Sequence, residues 1–221
     1  MKLFIANKNY STWSLRGWLV LRGFDIDFEE VELSLFTDEF YTELKKHSGA
    51  AKVPMLVDNG LPVWESLAIC EYVNEQYLQG KGWPQNAADR AKARAISSEM
   101  HAGFGGVRSE MPMNIRGRRK ISPSDTCLKD VQRIDDIWAE QMEVFADKGG
   151  YLFGEFSIAD AMYAPVALRF LTYGVQLSEK AQIYADNILA NAAVQQWVEE
   201  SKQDLSVVPE DEAGIEINAY A

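Results

Sequence analysis

The sequence predicts a chain with two parts, an α/β domain with the element order βαβαββα and an all-helical domain after it. Two observations support this fold class. Strand-like and helix-like patterns alternate over residues 1–80, and after the glycine-rich turn segment 80–84 helical periodicity takes over. We therefore predict an N-terminal domain over residues 1–80 and a helical domain over residues 87–221, a division that suits a length of 221 residues.

The first half of the N-terminal domain has the pattern of a β-α-β unit followed by a helix. Residues 2–6 form a strand-like apolar run, residues 14–22 have helical composition, and residues 28–33 place apolar side chains as a half-buried strand does. Residues 37–46 are predicted to be helical, because acidic residues stand near the start and lysines near the end, which suits the helix dipole.

The second half of this domain has the pattern of a hairpin and a helix. Short apolar runs at residues 55–57 and 61–63 flank the turn sequence Asp58-Asn59-Gly60, as in many β-hairpins. The helix after the hairpin is indicated by apolar residues that mark one face: Leu67, Ile69, Cys70, Val73 and Tyr77. These elements complete the order βαβαββα.

The rest of the chain is predicted to consist of helices. Residues 89–108 form one long candidate helix, which three glycines near its end interrupt or thin, and residues 124–146 have the spacing of an amphipathic helix. The pattern Ser-x-x-Asp at residues 157–160 predicts a capping box in front of a central helix with few charges. The stretch after Ser206 has no clear periodicity, and the sequence assigns it no function.

Charge and composition exclude several classes of function. With 33 acidic and 22 basic residues, the net charge of −11 disfavours a nucleic-acid or anionic-membrane binder. The apolar run near the N-terminus is too short for a signal peptide, and no run is long enough to span a bilayer, so we expect a cytoplasmic protein that does not contact membranes. Cys70 and Cys127 belong to no CxxC pattern, so neither a disulfide framework nor a metal site is predicted.

Other motifs have ordinary explanations. The basic cluster at residues 116–120 has no interleaved aromatic residue and is predicted to be a solvated loop between helices. His47 and His101 have no metal-ligand spacing, and no GxSxG elbow is present, which argues against a hydrolase. We therefore expect both histidines to be structural.

Two short motifs predict a ligand site in the N-terminal domain. Pro54 follows a strand-like valine, and a cis bond between Val53 and Pro54 would turn the neighbouring backbone amide groups toward a ligand. Glu65 and Ser66 stand at the predicted first turn of a helix, where free backbone N–H groups favour a bound carboxylate. A ligand that has peptide groups and ends in an α-amino acid, with its free amino and carboxylate groups, fits both motifs.

Four motifs, in this order and at these separations, resemble the cytosolic glutathione transferase family. They are Ser11-Thr12-Trp13-Ser14, residues 52–56, Glu65-Ser66 and the capping box at residues 157–160. The resemblance covers nearly the whole chain and is to serine-type members, similar to zeta or theta enzymes of the bacterial style. It implies a thioredoxin-like fold for the N-terminal domain, a helical domain that shapes an electrophile site, glutathione as co-substrate without a metal, and a homodimer.

The resemblance also implies roles for individual residues. Ser11 would donate a hydrogen bond to the glutathione thiolate, with Ser14 as the competing candidate. The other implied glutathione contacts are the Val53 backbone beside Pro54 for the cysteinyl part, Glu65 and Ser66 for the γ-glutamyl head, and Lys52 for the glycyl carboxylate. The electrophile pocket would lie between the domains, bounded by five residues: Tyr10, Trp13, Phe104, Arg108 and Met111.

The function predicted from this resemblance is transfer of glutathione to small electrophiles. One alternative is a glutathione-dependent isomerase similar to maleylacetoacetate isomerase, although this chain has Tyr10-Ser11-Thr12 where the zeta class has a Ser-Ser-Cys signature. Another alternative is a peroxidase, and a third is a binding or regulatory protein that has kept the fold without the chemistry. The sequence does not identify the electrophile.

Overall fold

A computed structural model describes residues 1–217, and residues 218–221 of the predicted helical domain lie outside the described part. The first seven elements follow the predicted order. They are β1 (Lys2–Ala6), α1 (Thr12–Gly23), β2 (Glu29–Leu33), α2 (Asp38–Lys45), β3 (Met55–Asp58), β4 (Leu61–Trp64) and α3 (Ser66–Gln76). The strands form one sheet in the order β2-β1-β3-β4, in which β1 is parallel to β2 and antiparallel to β3. The predicted βαβαββα fold is confirmed.

The two faces of this sheet bury alternate residues of β1. Leu3 and Ile5 belong to the main core, together with apolar residues of α1 and α3, whereas Phe4 packs in a smaller core with Phe40 and Leu44 of α2. Successive strand side chains point to opposite faces, so a fully apolar strand is needed where helices cover both faces. This requirement explains why residues 3–6 are all apolar and buried.

The helical part begins after residue 86 and contains six α-helices within the described residues. They are α4 (Ala87–Ala102), α5 (Gly105–Glu110), α6 (Asp125–Phe145), α7 (Ile158–Tyr173), α8 (Glu179–Ala190) and α9 (Ala192–Ser201). Helix α7 is buried along almost its whole length and packs against α1, α4 and α8. No helix of the described part combines the length and apolar character needed to cross a membrane.

The predicted helix over residues 89–108 is interrupted near its end, where the glycines stand. Phe104 adopts a left-handed conformation with φ of 60° and separates α4 from α5. Gly106 then approaches α6 so closely that a Cβ atom there would stand 2.7 Å from the backbone nitrogen of Cys127. The break and the missing side chain together let α5 lie directly on α6.

The capping box at the start of α7 is present. The Asp160 carboxylate accepts hydrogen bonds from the Ser157 N–H group and hydroxyl, both at 2.8 Å, and from the Leu152 N–H group at 3.0 Å. Asp160 is fully buried, and this burial raises the pKa of its carboxyl group to about 6. The central helix is therefore tied to the loop in front of it through one carboxylate.

The basic cluster and the chain after Ser206 differ from the sequence prediction. Strand β5 (Arg119–Lys120) pairs antiparallel with β6 (Ile215–Glu216). The Arg119 side chain is buried and donates hydrogen bonds to the carbonyl oxygens of Ala213 at 2.6 Å and Gly214 at 3.2 Å. The prediction of a solvated loop was therefore wrong, because the acceptors of Arg119 come from a segment almost a hundred positions away. We call residues 204–217 the carboxyl-terminal strap.

Candidate functional site

Two neighbouring cavities lie beside the N-terminus of α1. The smaller has a volume of about 160 Å³ and is lined by Trp13, Lys52, Val53, Pro54, Glu65 and Ser66. The larger has a volume of about 620 Å³ and is lined by Ser11 together with residues from both parts of the chain. The cavities share Trp13, Lys52 and Val53 as a common wall. All five residues predicted to contact glutathione besides Ser11 thus line the smaller cavity.

The Ser66 hydroxyl is the most informative atom of the smaller cavity. Ser66 is only 1% exposed, and its Oγ atom has no hydrogen-bond partner within residues 1–217. It is the first residue of α3, whose free backbone N–H groups give this end of the helix a partial positive charge. A buried hydroxyl without a partner is costly, so this site is arranged to receive an acceptor such as a carboxylate.

Glu65 lies beside this hydroxyl in an unusual backbone conformation. Its φ is 68°, in the left-handed region that non-glycine residues seldom adopt, and the adjoining Val53–Pro54 peptide bond on the same cavity wall is cis as predicted. The Glu65 side chain is about half exposed, and its Oε2 atom lies 3.8 Å from His101 Nε2. A free carboxylate at this position can accept from an ammonium group of a ligand.

The structure distinguishes the positions of Ser11 and Ser14. Their hydroxyl oxygens are 2.8 Å apart, and the Ser14 hydroxyl also accepts a hydrogen bond of 3.1 Å from the Ala6 N–H group of β1. Ser14 is fully buried, whereas Ser11 is the N-cap of α1 and lines the larger cavity. Of the two serines, only Ser11 presents its hydroxyl to this cavity.

The larger cavity contains three of the five residues predicted for the electrophile pocket. Tyr10, Trp13 and Arg108 line it, but Phe104 and Met111 are buried in the hydrophobic core instead. The break between α4 and α5 explains this difference, because it changes which side of the chain faces the cavity. Pro112 and Met113 line the cavity in place of Phe104 and Met111.

Several residues of this cavity were missed by the sequence analysis. An apolar wall comes from the loop before α2 and from α2 itself: Leu35, Phe36, Phe40 and Tyr41. Arg169 of α7 also reaches the cavity, and its isolated charge in an otherwise apolar helix was a usable signal. Asp211 reaches it from the carboxyl-terminal strap, where no periodicity indicated a structural role.

Two arginines, buried Arg16 and partly buried Arg108, lie over the Trp13 ring beneath the site. The Arg16 and Arg108 guanidinium groups lie 4.5 Å and 4.6 Å from the ring centroid, and the His101 ring approaches it edge-on at 5.3 Å. Burial lowers the pKa of both arginines, and that of Arg169 to about 10. All three still carry positive charge at neutral pH, so the base of the site has a positive potential that favours an anion.

The Glu212 carboxylate fastens the carboxyl-terminal strap over the larger cavity. It accepts hydrogen bonds from the Tyr10 hydroxyl at 2.6 Å and the Asn114 amide at 2.9 Å, and it pairs with Arg119 at 2.5 Å. Nearer its start, the strap is held by the Asn7 amide, which donates to Asp204 at 2.8 Å. The strap therefore joins the end of the described chain to the loop that carries Ser11.

Metal ligands and reactive thiols are not features of the described site. Residues 1–217 contain no group of three His, Cys, Asp or Glu side chains that could hold a metal ion. Cys70 and Cys127 are free and buried, and burial raises the pKa of their thiols to about 12 and about 11.

Comparison with known proteins agrees with the geometry. Residues 10–76 match the family model of the glutathione S-transferase N-terminal domain. The chain is 27% identical over 168 residues to a probable maleylacetoacetate isomerase of Caenorhabditis elegans, covering 76% of this chain and 77% of that protein. It is also 27% identical over 182 residues to maleylacetoacetate isomerase of Rattus norvegicus, covering 80% and 81%. Residues 10–76 thus match a glutathione S-transferase N-terminal domain, and the chain as a whole is similar to members of the cytosolic glutathione transferase family.

The transferase fold extends over both parts of the chain. A glutathione transferase homologue from Burkholderia, solved with bound glutathione, matches with a TM-score of 0.70 and 21% identity over 92% of this chain and 98% of the other. The predicted combination of a thioredoxin-like domain with a helical domain is thus confirmed. Among curated relatives, the two maleylacetoacetate isomerases make this similarity a zeta-like one.

Proposed function

We propose that this protein is a glutathione S-transferase that activates the glutathione thiol through Ser11 and transfers the sulfur to small electrophiles. The observation that carries the proposal is the buried Ser66 hydroxyl, which lacks a partner within residues 1–217 and opens into a cavity that shares a wall with the cavity of Ser11. A ligand with a carboxylate at one end and a thiol elsewhere can occupy both cavities at once.

The two cavities suggest how glutathione is held. The γ-glutamyl carboxylate accepts from the Ser66 hydroxyl and the N–H groups at the start of α3, while its ammonium group meets the Glu65 carboxylate. The cysteinyl part lies along the Val53 backbone beside Pro54, which places the sulfur at Ser11. Exposed Lys52 then meets the glycyl carboxylate.

The interactions available at Ser11 are sufficient to ionise the thiol. Lowering a thiol pKa from about 8.5 to about 6.5 requires about 2.7 kcal/mol of thiolate stabilisation. A hydrogen bond to a charged group contributes about 1.5–3 kcal/mol, and a helix N-terminus about 0.3–1 kcal/mol. Ser11 offers both, because it is the N-cap of α1, and the arginines around Trp13 add a favourable potential. Neither a metal nor a general base is required.

The reaction itself is nucleophilic substitution or addition by the thiolate. A sulfur–carbon bond forms, and the electron pair of the broken bond departs with the leaving group or, in an addition, moves onto the electrophile. The aromatic and apolar wall of the larger cavity suits a flat or apolar co-substrate. Glutathione is consumed in each turnover.

A second candidate function is glutathione-dependent isomerisation, which the two maleylacetoacetate isomerase relatives favour. The thiolate would add to a double bond, the carbon–carbon bond would rotate, and the thiolate would leave again, so that glutathione is regenerated. Measurement of glutathione consumption distinguishes the two candidates, since only transfer consumes it.

We also propose that two copies of the chain associate. Strand β4 is an edge of the sheet, and it exposes Leu61 by 51% and Trp64 by 45%. Large apolar side chains on an edge strand favour coverage by a partner surface. The oligomeric state follows from sedimentation of the native chain and of the double variant Leu61→Lys with Trp64→Lys, which should sediment as a monomer.

The experiment that tests the proposed function is glutathione binding by calorimetry, combined with the ultraviolet absorbance of the bound thiolate as a function of pH. The native chain should bind glutathione and lower its thiol pKa. Ser11→Ala should still bind glutathione but should not lower its thiol pKa. Ser14→Ala, which removes a hydroxyl group one helical turn further along α1, is the matched control. Absence of binding in the native chain would contradict the proposal and favour a regulatory protein that has kept the fold.

A further inference from the structure

The carboxyl-terminal strap places an acidic side chain in the larger cavity. Asp211 lines this cavity together with Ser11 and Trp13, and it is partly buried there. It stands immediately before Glu212, whose carboxylate is fixed by Tyr10, Asn114 and Arg119. The backbone position of Asp211 is therefore well determined, although it lies about two hundred positions from Ser11.

Several hydrogen-bond donors of the two arginines that line the cavity with Asp211 are directed to the main chain. Arg169 donates from Nη1 to the main-chain carbonyl groups of Val107, Arg108 and Met111, and Arg108 donates from Nε to the carbonyl of Gly103 at 2.8 Å. These bonds satisfy carbonyl groups at the C-terminal ends of α4 and α5. The guanidinium groups thus stabilise the fold, while their positive charges still act on the cavity.

The Asp211 carboxylate, by contrast, accepts no hydrogen bond from any of residues 1–217. Burial raises the pKa of this carboxyl group to about 6, the Arg169 charge opposes that rise, and the Glu210 and Glu212 charges add to it. Tyr173 of α7 also faces it and is neutral at physiological pH, because burial raises the Tyr173 pKa to about 12. At slightly alkaline pH, Asp211 presents a negative charge to the cavity, and this charge offsets part of the positive potential of the arginines.

We propose that Asp211 is a specificity-determining residue, which offsets the attraction of Arg108 and Arg169 for an anion and so shifts the electrophile site toward neutral co-substrates and away from those that carry a carboxylate close to the reacting carbon. An anionic co-substrate would place its charge against an ionised aspartate whose repulsion no hydrogen-bonded partner relieves. This inference rests on the proposed transferase function and names the substrate class that the site accepts.

The test compares two electrophiles of nearly the same shape and different charge. In para-(chloromethyl)benzamide and para-(chloromethyl)benzoate, the glutathione thiolate attacks the benzylic carbon, a sulfur–carbon bond forms, and chloride leaves with the electron pair. Each kcat/KM is divided by the rate constant of the uncatalysed reaction, which removes the intrinsic difference in reactivity. Because Asp211→Asn removes a negative charge from the cavity, we expect it to shift the ratio of the two normalised values toward the benzoate by about tenfold relative to the native chain.

A matched control separates the local charge from the net charge. Glu210 is the exposed neighbour of Asp211 and does not line the cavity, so Glu210→Gln should keep the native preference. Lowering the pH through about 6 should reduce the native preference toward that of Asp211→Asn, because the carboxyl group becomes neutral. Ionisation of glutathione cancels in this ratio. Equal preferences in the native chain and Asp211→Asn, or an equal loss in Glu210→Gln, would overturn the proposal.

A second measurement keeps this inference separate from the proposed function. The native chain and Asp211→Asn are titrated without glutathione with two unreactive analogues, para-methylbenzamide and para-methylbenzoate. Binding is followed by the fluorescence of Trp13, which is obtained by subtracting the fluorescence of the corresponding Trp13→Phe variant. If transfer activity is absent, the transferase proposal fails. The role of Asp211 still stands if Asp211→Asn raises the affinity for the benzoate relative to the affinity for the benzamide. Failure of both compounds to bind, or an unchanged ratio of affinities in Asp211→Asn, overturns it.

Discussion

The Tyr10 hydroxyl donates a hydrogen bond of 2.6 Å to the carboxylate of Glu212, a residue 202 positions later in the chain. This bond links the loop before α1 to the carboxyl-terminal strap. Tyr10 precedes Ser11 directly, and Glu212 follows Asp211 directly. One hydrogen bond therefore relates the proposed thiol-activating residue to the proposed specificity residue.

Glu212→Gln should destabilise the protein and loosen the strap. Arg119 would keep its charge in a mostly buried position and lose the opposite charge, so we expect a loss of about 1–3 kcal/mol in the free energy of unfolding by urea. Tyr10→Phe removes the hydrogen bond to Glu212 and a long one of 3.4 Å from Arg116 but leaves no charge unpaired, and it should cost about 0.5–1.5 kcal/mol. A larger loss in Tyr10→Phe than in Glu212→Gln would show that Glu212 is not the fastening point.

Ser66→Ala should weaken glutathione binding without weakening the fold. The hydroxyl has no partner within residues 1–217, so its removal should leave the free energy of unfolding unchanged or slightly higher. Loss of a hydrogen bond to a charged carboxylate corresponds to about 10- to 100-fold in the dissociation constant measured by calorimetry. Ser97→Ala is the matched control, because Ser97 Oγ is also buried without a partner but lies in α4, outside both cavities. Equal affinities in the two variants would remove Ser66 from the site.

Asp160 should make the stability of the protein depend on pH. The pKa of its carboxyl group is about 6 in the folded chain and about 3.9 in an unfolded one, so the folded state binds the proton more tightly. This contribution is fully present below about pH 4 and is lost as the pH rises through about 6. The advantage of the native chain over Asp160→Asn in unfolding free energy should shrink by up to about 3 kcal/mol over that range. An advantage that grows with pH would contradict the raised pKa.

Gly106→Ala should separate α5 from α6. The new methyl group would meet the backbone of Cys127 at 2.7 Å, and backbone atoms cannot move aside cheaply, so we expect a loss of about 1–3 kcal/mol in stability. Gly105→Ala adds the same group one residue earlier, where nothing lies within 4 Å, and should be neutral or stabilising. Thermal unfolding of the two variants measures the difference, and equal melting temperatures would show that the helices are not in close contact.

Local patterns predicted most of the fold, since the signals that specify it lie within a few residues of one another. The apolar run of β1, the Asp58-Asn59-Gly60 turn and the capping box at residues 157–160 each form where the sequence indicates. The wall of the smaller cavity was predicted for the same reason, because Val53-Pro54 and Glu65-Ser66 are short contiguous motifs that flank one hairpin.

The larger cavity could be predicted only in part, because it depends on contacts between distant segments. The left-handed conformation of Phe104 turns the chain and removes Phe104 and Met111 from the wall. Asp211 enters it because the strap pairs with β5, and a two-residue strand has no recognisable period. Arg119 likewise finds its acceptors in a segment that no local pattern connects with it.

Trp13, Lys52 and Val53 belong to both cavities, so the two ligand sites are not thermodynamically independent. A molecule that orders this common wall from one side also alters the free energy of binding on the other side. Linkage requires the effect to be reciprocal: glutathione changes the affinity for the second substrate by the same factor as the second substrate changes the affinity for glutathione. The apparent order of binding would then reflect the concentrations of the two compounds.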